Sequence, residues 1–332
     1  MTRAVTIADL ERLAQKPDFR HVGNWMARRI TRPLALRLTY AILPWRISAG
    51  ALTCLACAVA AAAASALAWG TIASWIAGAA LLHLWYLLDH VDGQLARYHG
   101  TASLDGTQLD YLMHHTINLL VPYGIGWGLF LRHAEPWWLL GAGGWGLALL
   151  LLGLQHDARY KAFMGRLKRL HGNLLVQGGG GARPSPTPPI PRNSLRFLAW
   201  LARKTCEIHV LINVLSMLAL GMWVVGDSNM WLARLWLTMV APLSIFVAAA
   251  TIVRSHHRGN AEHEFALWFV PPPGCKLDFR DGWWAVEPQG AIGSAGETRT
   301  LCVTGSASEN ISTNTPAAGM ARTFRATGWQ SS

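Results

Sequence analysis

Long apolar runs separated by short polar breaks organise most of this chain, and several runs reach the roughly 20 residues a helix needs to cross a bilayer. Six spans are predicted, at approximately 48 to 69, 71 to 88, 110 to 131, 136 to 155, 208 to 226 and 232 to 253. Trp45, Trp69, Trp137, Trp138, Trp223 and Trp231 lie near the ends of these runs, as an interfacial aromatic belt requires. The first span starts too far from the N-terminus for a cleaved signal peptide, and more spans follow it. Ahead of it, residues 1–46 pattern as one short helix and then an amphipathic helix from about Asn24 to Leu43. There Arg28, Arg29, Arg32 and Arg37 alternate with Trp25, Ile30, Leu34, Leu36 and Leu38, so this helix is expected to lie on a membrane surface. The expected architecture is all-α: a polytopic integral membrane protein of six transmembrane helices plus an N-terminal interfacial helix, occupying residues 47–258 after the segment 1–46. Between spans four and five, Gly178 to Gly181 and the Pro-rich stretch 184 to 191 read as a flexible linker within a loop at 156–206. The tail 259–332 turns to Gly, Ser, Thr, Ala and Pro; a small packed piece is expected around Phe279 to Trp284 and disorder from about residue 288.

Composition supports this reading, since 52% of the 332 residues are hydrophobic, 14% are charged and 17 are tryptophan. The net charge of +11 is unevenly placed. Basic residues crowd the N-terminal segment and the connection between spans four and five, while the opposite connections offer little beyond Arg132 and Arg234. By the positive-inside rule, both termini, the loop around 89 to 109 and the long loop are cytoplasmic, with a bacterial inner membrane the expected setting. The charge therefore signals topology and attraction to an anionic bilayer, not nucleic-acid binding. Cys54 and Cys57 have CxxC spacing inside an alanine-rich span, where packing is the expected role, and five cysteines without a secretory pattern argue against a disulfide framework.

Against this apolar background, residues 89 to 114 stand out. Asp89, Asp92, Asp110, Arg97 and His114 sit beside two long apolar segments, where an uncompensated acid costs on the order of 2.5–3.5 kcal/mol. Asp89 and Asp92 are three apart and Asp110 and His114 four apart, so on helices each pair shares a face. Two such faces brought together form a cage for a hard divalent cation, Mg²⁺ or Mn²⁺, with open positions for phosphate oxygens. Arg97 has the planar fork suited to another phosphate oxygen. Gly93, Ala96 and Gly106 leave the backbone open to close approach by a ligand. Of the nearby histidines, His90 and His99 are expected at the surface, His83 as a satisfied interior group and His115 in helix packing.

The order D-x2-D-G-x2-A-R-x8-G-x3-D-x3-D resembles the signature of the CDP-alcohol phosphatidyltransferases. Asp89, Asp92, Gly93, Ala96, Arg97, Gly106 and Asp110 match at every interval; His114 stands where that family has aspartate. Pro44-Trp45-Arg46-Ile47-Ser48 is similar to the family's Pro-Asn-x-Val-Thr approach to the first span, with tryptophan in place of asparagine. The looser similarity runs over residues 28 to 258. It implies transfer of a substituted phosphate from a CDP-linked lipid or alcohol to an acceptor hydroxyl, with release of CMP and a homodimer as the assembly. It also implies a pyrophosphate bridging cations held by Asp89, Asp92, Asp110 and His114, with room for cytidine and ribose at Gly93, Ala96 and Gly106. Arg97 would orient the pyrophosphate. The same resemblance gives His114 a second role, removal of the acceptor's proton, and an imidazole is a competent base near neutral pH though a poorer Mg²⁺ ligand than carboxylate. Arg159 and Lys161, at the end of span four, are candidate acceptor contacts.

Two other classes compete with this reading. A catalytically silent scaffold that binds a CDP-lipid would keep the same residues. A six-span cation transporter also uses an acid and a histidine four apart, but span five offers only His209 near its entrance, and transport does not explain Gly93, Ala96 and Arg97. The sequence leaves the acceptor alcohol open.

Overall fold

The computed structural model describes residues 6–16, 19–21, 23–177 and 190–289, together with the backbone of 322–325. The glycine run at 178 to 181, most of the Pro-rich stretch and the tail from 290, apart from 322–325, lie outside the described residues. In chain order the helices are α1 (Ile7–Ala14), α2 (Arg32–Ile42), α3 (Ala49–Ala68), α4 (Ile72–Tyr98), α5 (Leu104–His133), α6 (Trp137–Lys168), α7 (Ser194–Lys204), α8 (Ile208–Val225), α9 (Trp231–His257) and α10 (Asn260–Trp268). The protein is thus mainly helical, as expected. Among the described residues five helices, α3, α4, α6, α8 and α9, are long and apolar enough to cross a membrane. The sixth expected span lies in α5 and misses that criterion, chiefly because His114, His115 and Asn118 interrupt its apolar residues.

Side-chain oxygens set the helix starts. Ser48 caps α3 by accepting from the Ala51 N–H at 3.1 Å, and Ser103 caps α5 by accepting from the Gly106 N–H at 3.1 Å. Thr71 and Ser74 form a reciprocal cap on α4. The surface helix expected from Asn24 begins as a π-helical turn at Ala27–Thr31, where the Arg32 N–H reaches back to Ala27 O. Pro33 follows immediately; the wider turn accommodates a residue whose ring would crowd the carbonyl four positions back. This helix does not simply rest on a membrane surface, because polar groups of α4 bind it. Thr39 Oγ1 donates to the fully buried Gln94 at 2.9 Å, and Asn24 Nδ2 donates to Tyr86 Oη at 2.9 Å. Trp25, Ile30, Leu34 and Tyr40 remain exposed.

The described chain separates into two compact units. The first comprises residues 1–153 and 184–251, with a core that includes Trp75, Trp85 and Trp145, all fully buried. α5 packs tightly here: a Cβ at Gly124 would lie 2.4 Å from Ala64 O, one at Gly128 2.6 Å from Leu67 O, and one at Gly126 2.3 Å from Ala142 Cβ. These glycines let α5 touch the backbones of α3 and α6, the close helix contact that small residues allow. Trp45, Trp69, Trp137, Trp223 and Trp231 are exposed at helix ends, as the aromatic belt predicts, whereas Trp138 turns into the core and donates to Glu135.

The second unit comprises residues 154–183 and 252–332. Short strands β1 (Leu170–His171), β2 (Asn173–Val176), β3 (Phe269–Val270), β4 (Cys275–Arg280), β5 (Trp283–Pro288) and β6 (Arg322–Arg325) form two three-stranded sheets, ordered β1-β5-β4 and β3-β2-β6. β1 runs parallel to β5, and all other pairings are antiparallel. The small packed piece expected near Phe279 to Trp284 is the β4–β5 hairpin. Phe163, Phe265 and Phe269 pack edge to face in this unit, and the Arg166 guanidinium lies 4.6 Å from the Phe265 ring and 3.9 Å from that of Trp284. Arg166 also donates to both oxygens of Glu262 and holds that carboxyl below its usual range. Arg159, a candidate acceptor contact, donates to Glu264 at 2.6 Å within the same unit.

Candidate metal centre and active site

Two helices bring the acids together. Asp89 sits two thirds of the way along α4, and Asp110 and His114 lie one turn apart near the start of α5. His114 Nε2 is 3.1 Å from Asp89 Oδ1 and 3.6 Å from Asp110 Oδ1, and one ligand atom from each residue lies within 4.8 Å of the others. The Trp85 ring packs edge-on against His114, with centroids 5.6 Å apart, and Trp85 Nε1 donates to Met113 Sδ, so an aromatic wall fixes the imidazole. Asp89 is almost enclosed, while Asp110 and His114 open outward, at 39% and 34% side-chain exposure. The cluster is therefore anchored on one side and accessible on the other.

Of the four predicted ligands the structure gathers three. Asp92 lies one turn further along α4, buried, and accepts a hydrogen bond from Thr53 Oγ1 of α3 at 2.7 Å. Thr53 is the site residue that sequence reasoning missed; it stands one turn into the first span, 39 residues from its partner, and looks like one more small polar residue in an alanine-rich helix. Its removal is expected to show: Thr53→Val keeps the shape but strips a buried carboxylate oxygen of its donor. The expected cost is about 1–3 kcal/mol, read as a lowered unfolding midpoint of the detergent-solubilised protein.

Arg97 is held in place from outside α4. Its Nε donates to Ala14 O at 2.5 Å, at the C-terminal end of α1, and its terminal nitrogens lie over Gly93, where a Cβ would sit 3.3 Å from Nη1. Glycine at 93 thus makes room for the arginine. Gly106 is exposed, and a Cβ there would meet only the capping Ser103 Oγ, at 3.3 Å, so the backbone at the start of α5 is open. Ala96 is half-buried and its carbonyl accepts from the Thr101 N–H at 2.9 Å, closing the end of α4.

The other histidines divide as follows. His83 meets Ser216 Oγ at 3.0 Å, as an interior group should, and His115 packs against Gly153 of α6. His99 is exposed. His90, expected at the surface, is instead half-buried: Nδ1 contacts Tyr86 O at 2.9 Å and its ring stacks edge-on with Tyr86. Cys57 and Ala60 of α3 and Leu109, Leu112, Met113 and Leu120 of α5 line an apolar cavity of about 130 Å³.

This cluster suits a divalent cation by its own geometry. Asp89 Oδ1 is buried and receives no well-aligned hydrogen bond, although His114 Nε2 is close. A buried carboxylate oxygen without a donor is costly, and a cation beside it removes that cost. Two carboxylates and an imidazole are a donor set that a divalent cation accepts.

Residues 46–174 match the family model of the CDP-alcohol phosphatidyltransferases. This stretch is a CDP-alcohol phosphatidyltransferase domain. It runs from Arg46, three residues ahead of α3, through α4, α5 and α6 into β2, and so contains the whole cluster. Members of the CDP-alcohol phosphatidyltransferase family are phosphotransferases that move a phosphatidyl-type group from a CDP-alcohol, and they typically use divalent cations. With the five apolar helices, the match identifies an integral membrane protein. No curated protein matches the chain.

Proposed function

We propose that this protein transfers a phosphatidyl group from CDP-diacylglycerol to the hydroxyl of a second alcohol and releases CMP. The observation that carries the reading is the Asp89, Asp110 and His114 cluster, whose helix α5 also lines an apolar cavity with α3. A polar diphosphate at the cluster and an acyl chain in the cavity are the two ends of one lipid-linked donor. Asp89 and Asp110 would hold the divalent cation, with Asp92, the remaining member of the expected set, adding negative charge from the next turn. When bound, the cation neutralises the diphosphate and stabilises CMP as a leaving group. Arg97, anchored through Nε, would present its two terminal nitrogens to a phosphate oxygen. The open backbone at Gly93, Ala96 and Gly106 would admit the nucleoside.

His114 receives the proton of the acceptor hydroxyl in this proposal. When Nε2–H is held by Asp89, Nδ1 carries the lone pair and is the basic nitrogen. An imidazole that coordinates a cation through Nε2 carries its hydrogen on Nδ1, so ligand and base are exclusive roles at any one moment. Nitrogen coupling in the electron paramagnetic resonance of bound Mn²⁺ would reveal the ligand role. The basic residues flanking the spans support a topology with both termini, the motif and the long loop on the cytoplasmic side, and the family resemblance supports a second copy of the chain as partner.

The test is release of CMP from CDP-diacylglycerol by the protein in lipid vesicles supplied with Mg²⁺ or Mn²⁺ and a panel of alcohols. Turnover is expected to need an added alcohol, to vanish with a chelator and to return with the cation. His114→Ala is expected to lose roughly 10²–10⁴-fold, the usual contribution of a general base, while His114→Asp retains most activity. Equal rates in all three proteins would remove His114 from the chemistry.

A further inference from the structure

The helix α7 is amphipathic yet buries nothing. Leu195, Leu198 and Leu201 are exposed, Leu195 at 78% and Leu198 at 57%, and no residue of the helix is buried. Helical spacing puts these leucines and Ala202 on one face and Arg196 and Arg203 on the opposite one. Asn193 caps its start by accepting from the N–H groups of Leu195 and Arg196, so the helix is a defined element.

Two features say what covers the leucine face. The first is reach. Only Thr205, Cys206 and Glu207 separate α7 from α8, and three residues span at most about 10 Å. Because α8 is apolar enough to cross a bilayer, α7 cannot leave the surface where α8 enters. The second is charge. Residues 190–206 contain Arg192, Arg196, Arg203 and Lys204 and no acid. Glu207, the first acid after them, pairs with Lys204 at 2.7 Å and leaves the arginines to other anions. Phe197 and Trp200 stack with centroids 5.7 Å apart beside Lys204, a pairing of rings and cation suited to the headgroup level. An apolar face, an opposing basic face and a membrane-spanning neighbour are the attributes of a helix lying in the bilayer interface.

We propose that α7 is an interfacial helix that binds an anionic leaflet, with its leucine face at the acyl boundary and Arg196 and Arg203 on headgroup phosphates. The inference is independent of the transferase reading and would survive its failure, since it rests on α7 and α8 alone.

A nitroxide attached to the full chain through Leu198→Cys, with the five native cysteines replaced by alanine, tests it. The labelled protein is placed in vesicles of phosphatidylcholine alone or mixed with phosphatidylglycerol, and its collisions with oxygen and with a water-soluble nickel complex are compared. The label is expected to favour oxygen, more strongly in the mixed vesicles. Each basic residue near an anionic surface contributes roughly fivefold to partition, so Arg196→Glu with Arg203→Glu should cut the preference roughly 20-fold or more in the mixed vesicles. A label open to nickel, or shielded from both reagents as by a protein partner, overturns the proposal. Equal oxygen preference in both vesicles, unmoved by the charge reversal, overturns the anionic-lipid assignment.

Discussion

Asp110→Asn is expected to abolish CMP release from CDP-diacylglycerol, with a loss of roughly 10³-fold or more. The amide keeps the volume of the side chain and removes one negative charge from a set of three groups whose ligand atoms lie within 4.8 Å of one another. Cation stabilisation of a leaving phosphate is worth several kcal/mol, and about 1.4 kcal/mol is a factor of ten, so loss of the ion removes several orders of magnitude. Asp110 is 39% exposed at the mouth of the cluster, so the change should leave the fold intact. The unfolding midpoint checks that: wild type is expected to gain stability from Mn²⁺, and the variant to have the same midpoint without the ion and little gain with it. Undiminished turnover in the variant would rule out the cage. Nucleotide-dependent stabilisation of wild type without any CMP release would identify a binding scaffold instead.

Gly124→Leu is expected to prevent assembly of the helical unit. A Cβ at this position already lies 2.4 Å from Ala64 O, and backbone cannot swing aside as the tip of a flexible side chain can. Even Gly124→Ala should cost about 1–3 kcal/mol through overpacking, and leucine adds three more carbons to the same clash. In a bilayer, apolar surface gains little by leaving lipid, so helices associate through close packing, and a glycine contact carries more of that association than in water. The consequence reaches the site, because α3 packs against both α4, which carries Asp89, and α5, which carries Asp110 and His114; moving α5 off that shared support would splay the cluster. Size-exclusion chromatography in detergent and the unfolding midpoint measure the effect, with Gly50→Ala as control, since nothing lies within 4 Å of a Cβ there. A normal profile and midpoint for Gly124→Leu would show that α5 does not pack on α3 as described.

Both predictions start from residues visible in the sequence, but the sequence supports them unequally. The four-residue interval between Asp110 and His114 is enough to place them on one helix face, and they lie there in the folded chain. The same periodicity puts Asp92 on a face with Asp89, yet Asp92 turns to Thr53. Spacing along a helix says which side chains are neighbours on its surface; it does not say which neighbouring helix that surface meets. Arg97 illustrates the same limit. Its partner, the carbonyl of Ala14, is 83 residues away and carries no side-chain signal, because any residue at the end of α1 would offer it.

The helices were legible because crossing lipid demands long apolar runs and paired backbone groups, constraints written residue by residue along the chain. α5 was partly obscured, since His114, His115 and Asn118 lie within its apolar run. The strands of the second unit were mostly hidden. β1 has two residues and pairs in parallel with β5 more than a hundred positions away, too short for alternation to register and too distant for a turn to announce it. Composition and spacing alone thus pointed to a helical membrane protein with a carboxylate-rich cation cage, and phosphate transfer came from the resemblance of its motif to a family. Convergence of Asp89, Asp110 and His114, the support of Asp92 by Thr53 and the tether on Arg97 came from folding, because each depends on where separate helices cross, and crossing geometry is set by the shapes of all packed surfaces together.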